Sequence, residues 1–236
     1  AASFHTRFAA IEAVVQEGQT MIRIALIDDH ELVRTGYRMI LSAQPDFEIV
    51  GEADDGQAGL ALLKRTEPDV ALVDVQMPGL SGIEVTDRAR KLDLRTRIVI
   101  VSMVSESPFP RRLLAAGASG YVTKGCSSDE LVKAIRTVAD GRRYLAAKVA
   151  ERLALDALDG NTGSPFEALT TRELEVAMML SGGRDMQSIA ETLKLSPKTV
   201  ATYKYRLFDK LDIDNTVALA HLAGINGLLE GHDFAE

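Results

Sequence analysis

From Met21 onward, short apolar runs alternate with longer amphipathic ones. The strand-sized runs are Ile22–Ile27, Glu48–Ala53, Val70–Val73, Ile98–Val101 and Gly120–Thr123. Between and after them, helical periodicity covers Glu31–Ala43, Gly56–Arg65, Gly82–Leu92, Phe109–Ala116 and Ser128–Asp140. Such alternation predicts an α/β fold, a parallel sheet with helices on both faces. The runs IALI, VALV and IVIV are apolar throughout rather than alternating, as strands covered on both faces should be. Five strands are expected.

After Gly141 the strand pattern ends. Lys148–Leu158 reads as a further helix, and Gly160–Pro165 (GNTGSP) is a run of small breakers suited to a linker. From Leu169 onward the pattern is helical: Thr171–Ser181, Met186–Leu193, Pro197–Leu211 and Thr216–Leu228. The expected organisation is therefore an α/β domain over 21–141, a partly helical linker over 142–164, an all-α four-helix domain over 165–230 and a tail over 231–236. Residues 1–20 stand apart as an N-terminal extension. Phe4, Phe8, Ile11 and Val15 give them helical spacing but not the continuous apolar core of a secretory signal.

Composition narrows the picture. The 236 residues include one cysteine, Cys126, which excludes an intramolecular disulfide and suits a cytoplasmic protein. No apolar run approaches the roughly 20 residues that span a bilayer, so no membrane partner is expected. Formal charge is −7, which taken alone argues against nucleic acid. Local charge argues otherwise. Between Lys194 and Lys210 lie five basic residues and one acidic, inside a region (165–236) with seven basic and eleven acidic. The cations are concentrated on one helix of an acidic domain, the footprint of phosphate contact. Ser196 is a good N-cap and Pro197 suits the first helical position. Val200, Tyr203, Leu207 and Leu211, with Phe208, form a stripe that should face a core. A short turn at Lys194–Ser196 joins this helix to Met186–Leu193, which makes a helix-turn-helix.

Four of the five strand candidates run into polar residues. The first meets Asp28 and Asp29, the third Asp74, the fourth Ser102 and the fifth Lys124. Ligands of open parallel sheets bind outside the carboxyl ends of the strands, and neighbouring strands are only about 5 Å apart. Three carboxylates gathered there would repel one another, and a hard cation such as Mg²⁺ relieves that repulsion through oxygen ligands. One carboxylate is then able to act as a nucleophile toward phosphorus, while an ammonium and a hydroxyl neutralise the phosphoryl oxygens. Asp74-Val75-Gln76 offers no second acid two residues on to protonate a leaving group. That argues against a phosphoester hydrolase.

The stretches LIDDHELVRTG (Leu26–Gly36), LVDVQMPGLSG (Leu72–Gly82), IVIVS (Ile98–Ser102) and AGASGYVTKG (Ala116–Gly125) resemble the receiver domain of bacterial two-component response regulators. The resemblance implies a five-stranded, doubly wound, flavodoxin-like fold and a phosphoacceptor at Asp74. It also implies Mg²⁺ bound by Asp29, Asp74 and the backbone carbonyl of Gln76, with Asp28 helping through water. Ser102 and Lys124 would contact the phosphoryl group, and Tyr121 would be an aromatic switch that turns inward as Ser102 shifts. Ser102 stands where Thr is commoner, and Gly125 follows the lysine where Pro is frequent. No cis proline is therefore expected there.

The second half carries LTTREL (Leu169–Leu174), SIAETLKLSPKTV (Ser188–Val200) and a KL pair at Lys210–Leu211. These resemble the LuxR-type domain of the NarL/FixJ family. SPFEALTTRELEVAMML (Ser164–Leu180) and PFPRRLLAAGASGYVTKG (Pro108–Gly125) look like the GacA/UvrY/LetA branch. By that resemblance Lys198, Thr199, Lys204, Arg206 and Lys210 would contact phosphates, and Ala201, Thr202 and Tyr205 would face base edges. The implied function is a phosphorylation-controlled transcription regulator. A sensor histidine kinase phosphorylates Asp74, the receiver uncovers the recognition helix, and a homodimer binds double-stranded promoter DNA, activating genes for small regulatory RNAs. Phosphorylation and autodephosphorylation of Asp74 would be its only chemistry.

Overall fold

A computed structural model describes residues 21–75, 77, 79–102, 109–158 and 164–226. The amphipathic pattern within residues 1–20 and positions 159–163 of the expected linker lie outside the described residues. The first domain runs β1 (Ile22–Ile27), α1 (Glu31–Ser42), β2 (Phe47–Ala53), α2 (Gly56–Thr66), β3 (Val70–Asp74), α3 (Gly82–Lys91), β4 (Arg97–Ser102), α4 (Phe109–Ala116), β5 (Gly120–Thr123) and α5 (Ser128–Ala139). The sheet is parallel throughout, in the order β2-β1-β3-β4-β5-β6. It has six strands rather than the expected five. The sixth, β6, is only Tyr144–Leu145, parallel to β5 at the sheet edge. Two residues are too few for a periodic signal, and the strand exists because Tyr144 N–H and Ala146 N–H donate to the carbonyls of Ser119 and Tyr121.

The central strands are apolar throughout because both faces are covered. Ile24, Leu26, Val70, Leu72, Val99 and Val101 pack with Leu41 of α1 and Leu131, Ile135 and Val138 of α5. Their neighbours Ala25, Ile27, Ala71, Val73, Ile98 and Ile100 face the other way, with Leu60 and Leu63 of α2, Ile83 and Val85 of α3 and Leu113 of α4. The period of two thus sorts each strand between two helical layers.

Register then fixes the functional end of the sheet. Ile27 pairs with Val73, Asp74 with Val101, and Ser102 with Thr123. Asp28, Asp74, Ser102 and Lys124 therefore emerge together at one edge. Gly82, the first residue of α3, closes tightly on this end. A Cβ there would lie 2.2 Å from the Asp74 carbonyl oxygen.

A helix, α6 (Ala147–Leu158), follows β6. The second domain opens with a 3₁₀ turn, Pro165–Ala168, and contains α7 (Thr171–Ser181), α8 (Met186–Leu193), α9 (Pro197–Leu211) and α10 (Thr216–Ile225). Each helix start is capped by a side chain. Thr170 forms a capping box with Glu173, and Asp185, Ser196 and Asn215 accept from the backbone N–H of Ser188, Thr199 and Ala218. Lys194 and Asp212 end α8 and α9 in the left-handed conformation. The apolar stripe of α9 is buried as expected at Val200, Leu207, Phe208 and Leu211, while Tyr203 is partly buried. Among the described residues no helix is long and apolar enough to cross a membrane.

Gly82→Ala is expected to destabilise the chain by about 2 kcal/mol, because backbone rather than a flexible side chain must yield. Gly36→Ala, in α1 with nothing within 4 Å of the added methyl, is expected to be neutral or slightly stabilising. Urea unfolding of the two variants checks the contrast.

Candidate functional site

Asp28, Asp74 and Ser102 are each nearly inaccessible, at 2%, 4% and 4% exposure, although each sits at a strand end where solvent would be the default. The Lys124 ammonium stands between two of them, 3.0 Å from Asp28 Oδ2 and 3.0 Å from Asp74 Oδ2. The remaining oxygens are held by backbone. Asp28 Oδ1 accepts from His30 N–H at 2.8 Å, and Asp74 Oδ1 accepts from Val75 N–H at 2.8 Å. Lys124 is itself placed by its own N–H, which donates to the Ser102 carbonyl at 2.8 Å.

Burial pushes the Asp74 carboxyl up to about 6, and the Asp28 and Asp29 charges raise it further against the opposing pull of Lys124. Burial alone would lower Lys124, but the Asp74 and Asp28 carboxylates outweigh it and hold the ammonium above its ordinary range. The lysine is therefore a fixed cation at neutral pH, and Asp74 is a carboxylate close to its titration point.

Ligand-capable atoms of Asp28, Asp29, His30 and Asp74 lie within 4.8 Å of one another. Asp28 Oδ2 and Asp29 Oδ1 are buried without a hydrogen bond of good geometry, although Lys124 faces the first and His30 Nδ1 is 2.8 Å from the second. Oxygen-rich, underpaired carboxylates of this kind fit a hard divalent cation. Gln76, whose carbonyl was expected to join them, lies outside the described residues. Sequence reasoning passed over His30. Its place directly after the Asp pair was the available signal. Tyr121, the expected switch residue, is fully buried.

The cavity above these residues has a second wall that no sequence feature announced. Asp29, Asp74, Ser102 and Lys124 line it from below, and Glu175, Met178 and Arg184 line it from the second domain. The domains are docked. Arg172 of α7 lies 3.0 Å from Glu84 Oε2 and 2.8 Å from Glu175 Oε2, and donates to the Gly79 carbonyl in the loop after Asp74. Arg112 of α4 donates to the carbonyls of Phe166, Glu167 and Leu169. Arg111 pairs with Glu167 at 3.2 Å, and Lys194 faces Asp55 at 3.6 Å.

On α9, Lys198, Thr202, Arg206 and Lys210 are exposed, and Tyr205 is 72% exposed. Thr199, Ala201 and Lys204 are partly exposed. Thr199 is turned toward the cap, with its hydroxyl 2.8 Å from that of Ser196, and Lys204 lies over the Phe208 ring. Lys210 is engaged inside its domain, where its ammonium reaches Glu173 Oε2 at 2.6 Å and the Ala168 carbonyl at 3.3 Å. The first domain seats on α7, the 3₁₀ turn and the α8–α9 turn. In this arrangement the exposed face of α9 is not covered by the first domain.

The raised Asp74 carboxyl has a consequence for stability. Its folded form binds a proton more tightly than the unfolded chain does, so in metal-free buffer its contribution becomes unfavourable as pH rises from the usual carboxylate range through about 6. Asp74→Asn is expected to stabilise the chain by about 1–3 kcal/mol at pH 7.5 in the presence of a chelator. The difference should shrink toward zero by pH 4, as read by urea unfolding at both pH values.

Comparison with known proteins agrees with this geometry. Residues 24–136 match the response regulator receiver domain, and residues 167–223 match the LuxR family of bacterial regulatory proteins. The response regulator GacA of Pseudomonas aeruginosa is 43% identical over 89% of this chain and 99% of its own length. UvrY of Escherichia coli K12 is 41% identical over 88% and 96%. Among solved structures, a LuxR-family two-component response regulator from Aurantimonas sp. SI85-9A1 is 39% identical, with a TM-score of 0.57 over 59% of this chain and 99% of its own. RcsB of Salmonella enterica serovar Typhimurium, solved on promoter rprA with a phosphomimetic, shares the fold, with a TM-score of 0.62 at 23% identity over 87% and 99% of the two chains. The chain belongs to the response regulators that join a receiver domain to a LuxR-type DNA-binding domain, the family of GacA and UvrY.

Proposed function

We propose that a sensor histidine kinase transfers phosphoryl to Asp74, and that the phosphorylated chain binds promoter DNA as a homodimer. The observation that carries this reading is the single ammonium of Lys124 held 3.0 Å from both Asp28 and Asp74 in a buried pocket. An Asp74 oxygen attacks phosphorus, and the donor leaves with the electrons of the broken bond. Lys124 and the Ser102 hydroxyl neutralise the phosphoryl oxygens. Asp28, Asp29, Asp74 and the Gln76 carbonyl would hold Mg²⁺, which supplies charge neutralisation at the transferring group. Tyr121 pairs with Ile100 in the sheet, two residues before Thr123, the partner of Ser102 on the neighbouring strand. It couples a shift of the hydroxyl to the face of the receiver around β4, β5 and α5. This phosphorylation and its reversal are the only chemistry assigned to the chain.

The second domain reads DNA with α9. Lys198, Thr199, Lys204, Arg206 and Lys210 meet phosphates, and Ala201, Thr202 and Tyr205 meet base edges in the major groove. The open face of α9 supports the main part of this assignment, and a relative of the same fold has been solved on promoter DNA. Likeness to GacA and UvrY supports target promoters of small regulatory RNA genes, and the composition with one cysteine fits action in the cytoplasm.

Acetyl phosphate with Mg²⁺ is expected to strengthen binding of the wild-type chain to its operator fragment, and Asp74→Asn to abolish that gain in a mobility-shift titration. An undiminished gain in the variant would refute the assignment. Replacing both Lys198 and Lys204 with Ala is expected to weaken binding by tenfold or more at about 0.1 M salt. It should also flatten the log–log salt dependence by about 2.

A further inference from the structure

The docked arrangement leaves the recognition helix open and closes the phosphoacceptor. Tyr205 on α9 is 72% exposed, whereas Asp74 is 4% exposed and lies beneath a wall contributed by α7. We propose that the DNA-binding domain is a gate over the phosphoacceptor: α7 blocks the approach of a phosphodonor to Asp74, so docking and phosphorylation exclude one another. The lock thus acts on the input of the switch rather than on its output. The inference rests on Asp74 being the phosphoacceptor.

Three observations support it. The first is steric. A phosphohistidine carried on a partner protein has to bring its own surface against the carboxyl end of the sheet, and α7 occupies that place. The second is electrostatic. Glu175 is buried in the cavity wall, one oxygen on Arg172 at 2.8 Å and the other near the Ser81 hydroxyl but without a hydrogen bond of good geometry. A phosphoryl group on Asp74 adds roughly two negative charges beneath that carboxyl. The third is mechanical. Arg172 grips both the Gly79 carbonyl and Glu84, and so holds the loop that leads out of Asp74. The same loop begins with the Val75 N–H that donates to Asp74 Oδ1 at 2.8 Å, so a bond to phosphorus at that carboxyl acts on it. By linkage, whatever separates the domains raises the affinity of Asp74 for phosphoryl, and phosphorylation separates the domains by the same factor.

The full-length chain tests this with its domains tethered. On a Cys126→Ser background, Arg111→Cys and Glu167→Cys place thiols across the interface and outside the pocket, where the native pair is 3.2 Å apart. A bismaleimide with an internal disulfide joins them and is released by reductant. Acetyl phosphate with Mg²⁺ is the probe: an Asp74 oxygen bonds to phosphorus, the phosphorus–acetate oxygen bond breaks, and acetate leaves with the electron pair. The rate of label on Asp74 is read by phosphate-affinity electrophoresis and by mass. The tethered chain is expected to label at least tenfold more slowly than the same preparation after reduction, and the recovery shows that the variant is folded. Equal rates before and after reduction overturn the gate and leave the phosphoacceptor assignment standing. No label in either state overturns both.

Discussion

An ammonium shared between two buried carboxylates is the constraint around which the first domain is arranged. Lys124 satisfies Asp28 and Asp74 together, and neither acid would tolerate its position without that cation. The three residues come from strand ends far apart in sequence, so the pairing holds only while β1, β3, β4 and β5 keep their register. The register in turn depends on strands apolar on both faces, which cannot slip without breaking the packing on two helical layers. The arrangement remains incomplete. Three acids face one lysine, Asp74 stays close to its titration point, and underpaired oxygens persist. Such a deficit of positive charge fits a site for a divalent cation.

The acidic end of the sheet was legible in the sequence because four of the five strand candidates stopped at a residue of telling chemistry. Asp28, Asp74, Ser102 and Lys124 are ordinary residues singly, and only their shared position at strand ends gave them meaning. The helix-turn-helix was legible for a similar reason, since the Ser196–Pro197 start and the apolar stripe of α9 are local signals. β6 was not legible, because two residues carry no period and the strand is defined by backbone hydrogen bonds to β5.

The docking of the domains was also hidden, for a different reason. Arg112 and Arg172 bind backbone carbonyls, and a carbonyl has no residue-type signature. Glu173 lies in the first turn of α7, where an acid favours any helix start, and Glu175 follows two residues later. Both are buried, Glu173 against Lys210 and Glu175 in the cavity wall shared with the receiver. Burial raises the Glu175 carboxyl above the usual range, and Glu84 adds to the shift against Arg172 and Ser81. α7 is thus covered on both sides, with seven of its residues buried. The clasp combines these polar contacts with apolar packing, since one buried cluster runs from Met77 and Leu80 into Phe166, Leu169 and Leu174.

The Lys210–Glu173 pair gives the DNA-reading helix a property of its own. Lys210 anchors the C-terminal turn of α9 to the first turn of α7, and through the Ala168 carbonyl to the 3₁₀ turn that leads out of the linker. The tilt of α9 within its domain is therefore set at its far end by a brace on the same segment that Arg112 grips from the receiver. A displacement of that segment would reach the reading head as a change of angle, with no contact to the bases themselves.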